Sequence, residues 1–104
     1  MVVTAREQFQ TLTEPMYYIL LSLLKPSCGV DIMSKVKKIS HGRVKVGPGT
    51  LYALLGKFEK ENLIVETEVV GRKRTYLITE KGKQLLEEEY HRLLTLVADG
   101  RELL

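Results

Sequence analysis

The first strongly apolar run of the chain extends from Thr13 to Lys25 and predicts a buried helix. Thr13 suits the N-cap position, and Pro15 suits the first helical turn. A helix that is apolar all round is buried on every side, so we expect it to pack against its own core and against a second subunit. The preceding residues, Ala5 to Leu12, have a weakly helical pattern. Almost no polar face is left by the apolar residues of the run, which are Met16, Tyr17, Ile19, Leu20, Leu21, Leu23 and Leu24.

Two further helices are predicted after a break at Pro26 and Gly29. The second helix has apolar residues at helical spacing and a basic surface. A polar, basic connection from His41 to Gly47 precedes the third helix, where Gly47 and Pro48 form an N-cap and first-turn pair. The apolar positions are Ile32, Val36 and Ile39 in the second helix, and Leu51, Leu54, Leu55 and Phe58 in the third.

The third helix is unusual on the face opposite its apolar stripe. Small residues occupy much of that face, which consists of Gly49, Ala53, Gly56 and Lys60, with Tyr52 and Lys57 at its sides. Glycine in a helix costs about 1 kcal/mol relative to alanine. Close approach of a large partner would offset this cost.

The character of the chain changes after Asn62, where β-branched residues become frequent. Leu63 to Val70 predicts a strand, and Lys73 to Ile78 predicts the returning strand of a hairpin. A two-residue turn at Gly71 and Arg72 would place Val65 opposite Ile78.

Thr79 is the predicted N-cap of a last helix whose apolar seam is wider than a small domain needs. The seam follows alternating spacings of four and three residues. Its simplest interpretation is packing on the chain's own core. Together with the apolar first helix, however, it favours a two-fold interface between subunits. The predicted interface residues are Tyr17, Leu86, Tyr90, Leu93, Leu94 and Val97, with Leu85 alongside.

Three helices followed by a hairpin form the element order of a winged helix-turn-helix, a mainly α member of the α+β class. We expect residues 1–78 to form the winged-helix domain and residues 79–104 to form a dimerisation helix packed on it as one compact unit. In this fold the third helix enters the major groove of DNA, and the hairpin is the wing.

The charges agree with that element order. The chain has 104 residues and a formal net charge of only +3, but basic residues concentrate in the second helix, the following joint and the wing tip. Duplex phosphates require such a basic face. The acids Glu87, Glu88 and Glu89 lie on the last helix instead. The basic residues are Lys35, Lys37, Lys38, Arg43, Lys45, Arg72, Lys73 and Arg74.

Few residues favour other chemistry. His41 and His91 are isolated, and we expect no metal, no cofactor and no enzymatic activity, because the motifs show neither a phosphate-binding loop nor a Ser, His and acid set. The single cysteine, Cys28, is interpreted as a small buried residue typical of a reducing compartment. Met16 to Leu24 is too short to span a membrane, so we expect a cytoplasmic protein without a membrane partner.

Two segments also carry a family resemblance. Gly49 to Tyr52 lie within PGTLYALLGKFEKENLI, and GRKRTYLITEKG follows from Gly71 to Gly82. The combination resembles the PadR family of transcriptional regulators, and the similarity runs from Tyr18 to about Leu94. It implies a homodimeric repressor whose N-terminal and C-terminal helices form the interface. The short C-terminus is similar to that of the smaller PadR subfamily, which has one long dimerisation helix.

The chain departs from the family pattern at the start of the second helix. An aromatic-glycine-aromatic sequence is common there, whereas this chain has Cys28, Gly29 and Val30, and then Asp31 where glutamate is common. Some short members hold planar aromatic ligands between aromatic side chains at the dimer centre. This chain has no tryptophan and places Tyr90 and Leu93 there, which disfavours such a sandwich.

Two groups of residues are predicted to contact double-stranded DNA. Free amides near Gly49 and Thr50, together with the Tyr52 hydroxyl, would hold a phosphate at the start of the third helix. Val46, Pro48 and Ala53 would approach base edges. The wing cations would lie beside the DNA backbone or in a minor groove. The alternative for Thr50 and Tyr52 is an ordinary first helical turn, and the alternative for the wing is a solvated hairpin tip. Lysines on the exposed side of the third helix would then only maintain solubility. The full predicted set is Lys45, Val46, Pro48, Thr50, Tyr52, Ala53, Lys57, Arg72, Lys73 and Arg74.

The sequence therefore predicts a homodimeric repressor that binds a pseudo-palindromic DNA site. As the resemblance implies, a small-molecule effector or another signal would change the spacing of the two DNA-reading helices. One alternative is a protein-interaction module in which the winged helix is only a scaffold. Another is an architectural protein that binds DNA without sequence preference.

Overall fold

The computed structural model describes Phe9 and residues 11–104 and confirms a mainly helical α+β fold with a small sheet. Four helices and three strands occur in this part of the chain. In order they are α1 (Glu14–Ser22), β1 (Ser27–Cys28), α2 (Gly29–Ile39), α3 (Pro48–Lys60), β2 (Ile64–Val70), β3 (Lys73–Ile78) and α4 (Glu80–Leu103).

The predicted helix starts are confirmed. The Thr13 hydroxyl accepts a hydrogen bond from the Met16 amide, and the Thr79 hydroxyl accepts one from the Gly82 amide at 3.0 Å. Gly47 is the N-cap of α3, and Pro48 is its first residue. The two threonine hydroxyls each satisfy an amide donor that has no partner within its helix, and Pro48 removes one, because its ring nitrogen carries no hydrogen.

The first helix ends earlier than predicted, at Ser22 instead of Lys25. The amides of Leu23 and Leu24 bond to carbonyls three residues back, at 3.1 and 3.3 Å, which tightens the last turn. The chain then enters β1, a strand of two residues that is too short to be predicted from the sequence pattern. Of the weakly helical Ala5 to Leu12, residues 5–8 and 10 lie outside the described part, and the remainder is not helical.

The three strands form an antiparallel sheet in the order β1-β3-β2. The two-residue turn at Gly71 and Arg72 is confirmed, because Val70 pairs with Lys73. The predicted pairing of Val65 with Ile78 is wrong, since Ile64 is the partner of Ile78. A β-bulge between Glu66 and Glu68 shifts the register by one residue. Such a shift exchanges the two faces of a strand, so Ile64 is buried and Val65 is exposed.

One hydrophobic core joins all four helices to the sheet. Its largest fully buried side chain is Phe58 of α3, which packs against Phe9 with 5.8 Å between ring centroids. α1 contacts both α2 and α4, and the side chain of Tyr17 remains partly exposed on this helix. The described residues therefore build the interior of the winged helix, and the outer side of α1 is one of the surfaces left for another partner.

Glu89 has an environment that its sequence context does not reveal. It belongs to the predicted acidic run on α4, yet its side chain is fully buried. Its carboxylate accepts hydrogen bonds from the Leu12 amide at 2.5 Å and from the Arg92 Nε atom at 2.5 Å. A buried charge is tolerated when it is paired and hydrogen-bonded. Glu89 thereby ties the C-terminal helix to the segment that precedes α1.

Candidate nucleic-acid interface

The third helix presents a surface of small residues to solvent. Its apolar stripe, including Leu51 and Phe58, is buried as predicted. The opposite side is exposed, and we call its three small residues the small face of α3: Gly49, Ala53 and Gly56. Lys57 and Lys60 are exposed beside it. A flat helix surface of this kind allows close approach of another molecule.

The glycines of the small face are not required by the fold of this chain. A Cβ atom added to Gly49 or Gly56 would have no atom within 4 Å among the residues described. Neither glycine has a positive φ. Because glycine disfavours helix by about 1 kcal/mol relative to alanine, these residues reduce stability without an internal benefit.

The structure exposes nine of the ten predicted DNA-binding residues. The exception is Val46, which is 8% exposed and belongs to the hydrophobic core. The prediction that its side chain approaches a base edge is corrected, because the chain turns that side chain inward immediately before α3. The nine exposed residues are Lys45, Pro48, Thr50, Tyr52, Ala53, Lys57, Arg72, Lys73 and Arg74.

The wing carries its cations in two different environments. Arg74 lies 3.5 Å from the Glu66 carboxylate, which is on the neighbouring strand β2. Arg72 and Lys73 are exposed at the tip and make no ion pair with any residue that the structure describes. Gly71, with φ of +62°, permits the tight turn that brings these cations together. The tip is therefore a concentrated positive charge that is free to meet an anion.

A groove of about 340 Å³ separates α3 from the wing. Tyr76 lies in it, and burial, with a smaller effect from the Glu59 carboxylate, raises the pKa of its hydroxyl; the hydrogen bond from Arg74 acts in the opposite direction. Glu59 was not among the predicted site residues, although its spacing from Tyr52 and Gly56 places all three on one side of the helix. The groove is lined by Tyr52, Leu55, Gly56, Glu59, Arg72, Arg74 and Tyr76.

The basic surface is narrower than the sequence implied. Lys35 is engaged internally, since its ammonium group donates to the Ser27 hydroxyl and to the Ser22 carbonyl. Arg43 donates a 2.8 Å hydrogen bond to the Tyr18 hydroxyl on α1. Lys37 and Lys38 are exposed on α2. The cations available to a large anion are therefore those around α3 and the wing tip, together with the outer side of α2.

The predicted interface residues of α4 differ in their exposure. Tyr90, Leu94 and Val97 are 49%, 46% and 57% exposed, and we call them the α4 seam. Leu93 is partly buried. Leu86 is only 5% exposed and belongs to the chain's own core, so its assignment to an intersubunit seam is corrected.

Tyr17 lies beside this seam, in an apolar groove of about 200 Å³ between α1 and α4. Burial raises the pKa of its hydroxyl, and the neighbouring Tyr90, Tyr18 and Glu89 raise it further. The hydroxyl therefore stays protonated at neutral pH. The groove is lined by Tyr17, Leu21, Leu24, Lys83, Leu86, Glu87 and Tyr90.

Other kinds of site find little support in the described residues. Across Phe9 and residues 11–104, no three His, Cys, Asp or Glu side chains are grouped to hold a metal ion. The helices of this part of the chain are too short or too polar to cross a membrane.

Comparison with known proteins identifies the family. Residues 19–88 match the family described as "Transcriptional regulator PadR-like family". The chain belongs to this family. The match includes all of α2, α3 and the wing, so these elements form the winged helix of a PadR-like transcriptional regulator. The family resemblance inferred from the GTLY segment and the basic wing is confirmed.

Individual relatives agree with this assignment. The PadR-like chain is 35% identical over 71 residues to an uncharacterized 37.1 kDa protein in transposon TN4556 of Streptomyces fradiae, and these residues are 68% of the chain and 20% of that protein. It is 31% identical over 62 residues to the transcriptional regulator YqjI of Escherichia coli, which is 60% of the chain and 30% of YqjI. The chain thus spans less than a third of the length of either relative.

A solved structure shows the same fold. The PadR-like transcription factor from Bacteroides fragilis superposes with a TM-score of 0.69 at 24% identity. The match covers 86% of this chain and 88% of that one. The structural match therefore extends over most of the PadR-like chain.

Proposed function

We propose that this PadR-like regulator is a sequence-specific repressor that binds duplex DNA through α3 and the wing. The observation that carries the proposal is the small face of α3, where Gly49 and Gly56 reduce helix stability without any contact that would require glycine. A major groove that admits an α-helix at close range supplies the reason for small residues. The exposed cations Arg72 and Lys73 stand beside this helix, at the tip of the wing.

Each part of the surface has a distinct role in this proposal. Gly47, the N-cap of α3, has no side chain that could accept hydrogen bonds from the first-turn amides. The amides near Thr50 are therefore available to a phosphate oxygen. The Tyr52 hydroxyl and the wing cations hold further phosphates. Pro48 and Ala53 face the base edges, where a thymine methyl group suits their apolar surface.

We infer that two copies act together. The α4 seam exposes three apolar side chains on one side of a 24-residue helix. An isologous contact through this seam and the outer side of α1 would bury them in a two-fold dimer. Two α3 helices could then read half-sites about 34 Å apart in a pseudo-palindromic operator.

The groove beside Tyr17 supports regulation by a small-molecule effector. It lies between α1 and α4, the two helices assigned to the dimer contact. A bound molecule would therefore alter the angle between the α3 helices of the two subunits. Such a molecule regulates only by binding one arrangement more tightly than the other.

The proposal is tested by binding to the region upstream of the chain's own gene. Fluorescence anisotropy compares this duplex with a scrambled duplex of equal length at two salt concentrations. We expect a preference for the upstream duplex that persists at the higher salt, with two chains per site. Equal binding that salt abolishes would indicate an architectural protein, and absence of binding at low salt would favour a protein-interaction module.

Replacing both small-face glycines distinguishes their effect on DNA binding from their effect on folding stability. We expect Gly49→Ala with Gly56→Ala to raise the free energy of unfolding by up to about 1 kcal/mol per site, because alanine is the better helix former and has room. The same variant should bind the upstream duplex more weakly by on the order of tenfold or more, the scale of one disturbed base-edge contact. Urea unfolding and anisotropy measure the two effects.

The matched control is Thr95→Ala in α4, an exposed position on a different side of the helix from Val97, where alanine is also the better helix former. This change should also favour helix but leave DNA affinity unaltered. Unchanged affinity in the α3 variant would show that the small face does not meet DNA.

A further inference from the structure

Gly29, the first residue of α2, is a glycine whose position is not explained by its backbone. Its φ lies outside the left-handed region, so any residue could adopt this conformation. The explanation lies in what a side chain would meet. The three atoms nearest to an added Cβ all belong to Tyr52: the hydroxyl oxygen, well inside van der Waals contact, then Cζ at 3.1 Å and Cε1 at 3.4 Å.

Other glycines of the chain show how specific this contact is. A Cβ atom on Gly82 would collide with the backbone carbonyl of Leu63, so Gly82 is needed for packing of α4 against the residue that precedes β2. Gly29 instead meets a single side chain, and that side chain is 52% exposed and can swing away. A side chain at position 29 would therefore move Tyr52 without disrupting the core.

Tyr52 occupies a central place on the proposed DNA surface. It lines the 340 Å³ groove between α3 and the wing, and also a cavity of about 430 Å³ between the start of α2 and the wing. Arg72 and Arg74 also line both spaces. Within the described part of the chain its hydroxyl makes no hydrogen bond. The ring thus lies beside the start of α2, in the space that a side chain at position 29 would need, and its hydroxyl is left for a partner outside the chain.

We propose that Gly29 is a positioning residue for DNA binding: its missing side chain lets the Tyr52 ring stand against the first turn of α2, directed at the phosphate beside the wing. This inference rests on the proposed function and adds a residue that need not itself touch DNA. It also accounts for glycine at a helical position where alanine would be more stable.

The test is a double-mutant cycle measured with the labelled upstream duplex. Tyr52→Phe removes the hydroxyl, and we expect affinity to fall roughly tenfold, the range of a hydrogen bond to a charged group. Gly29→Ala should cause a reduction of similar size while thermal stability is unchanged or higher. In the Tyr52→Ala background there is no ring to displace, so adding Gly29→Ala should change affinity by less than about twofold, as coupled sites require.

A second readout follows the ring itself and does not depend on DNA. With labelled tyrosine, nuclear Overhauser effects between the Gly29 α-protons and the Tyr52 ring should be present in the wild-type chain. The corresponding effects from residue 29 should be absent or altered in Gly29→Ala. Circular dichroism confirms that both proteins have the same helix content.

The outcomes separate this inference from the proposed function. Full affinity in Gly29→Ala, or an equal reduction with and without the Tyr52 ring, overturns the positioning role while leaving DNA binding by the chain intact. Absence of the Gly29–Tyr52 contact in the wild-type spectrum also overturns it. A wild-type chain that binds no duplex at low salt contradicts both. The positioning role is supported if Gly29→Ala and Tyr52→Phe reduce DNA affinity by similar factors. It also requires that Gly29→Ala has no further effect on affinity in the Tyr52→Ala background.

Discussion

Reversing two charges of the wing with Arg72→Glu and Arg74→Glu is expected to weaken binding to the upstream duplex by roughly 100-fold or more at low salt. Both side chains are exposed beside α3, and Arg72 makes no ion pair with a described residue. Each phosphate that the variant no longer neutralises reduces the slope of log affinity against log salt by roughly 0.9. The salt dependence of the variant should therefore be visibly flatter. The Arg74 side chain is 61% exposed and that of Glu66 is 28% exposed, so loss of this pair and repulsion between the two glutamates should together cost on the order of 1 kcal/mol.

The control has the same change in net charge on another surface. Lys25→Glu with Lys81→Glu places the acids near the Ile78 end of β3, away from the wing tip, and both lysines are exposed. We expect this variant to retain most of the affinity. If the two double variants lose affinity equally, the effect is one of net charge, and the wing has no special contact with DNA.

The second large effect is expected from Leu94→Asp with Val97→Asp on the α4 seam. These side chains are about half exposed in the single chain, so helix content measured by circular dichroism should be retained. In a dimer the aspartates would be buried without a partner, and the subunits should separate. Sedimentation should then show monomers. DNA affinity should fall by about 100-fold or more, because the second half-site is no longer bound intramolecularly.

Thr95→Asp supplies the control for this change. Thr95 is exposed and lies about 200° around the helix from Val97, on a different side of α4. The control should remain dimeric and should bind DNA normally. A dimer that persists with aspartate at both seam positions would show that the contact between subunits lies elsewhere.

Local patterns in the sequence determined the elements and their order. Thr13, Thr79 and the Gly47–Pro48 pair were sufficient to place three helix starts, since capping depends on residues within one helical turn. The apolar stripe of α3 was predicted from its spacing, because side chains on one face of a helix recur at a fixed period. The segment from Gly49 to Tyr52 and the basic wing carried the family resemblance, which the match over residues 19–88 confirms.

Tertiary structure decided what each side chain meets. The β-bulge beside Glu66 exchanged the roles of Ile64 and Val65, a change that no alternating pattern reveals. Val46 was predicted to approach DNA, and Glu89 stands in an acidic run of the sequence, yet the fold buries both.

The same distinction holds for the glycines. Gly29, Gly49 and Gly82 are all glycines in the sequence, and only the structure distinguishes their roles. Gly29 leaves room for Tyr52, Gly49 faces open space, and Gly82 packs on a backbone carbonyl. Helix caps and periodic faces depend on neighbours a few residues away, so the sequence by itself determined them. Burial, register and space around a residue depend on segments far away along the chain, so only the tertiary structure decided them.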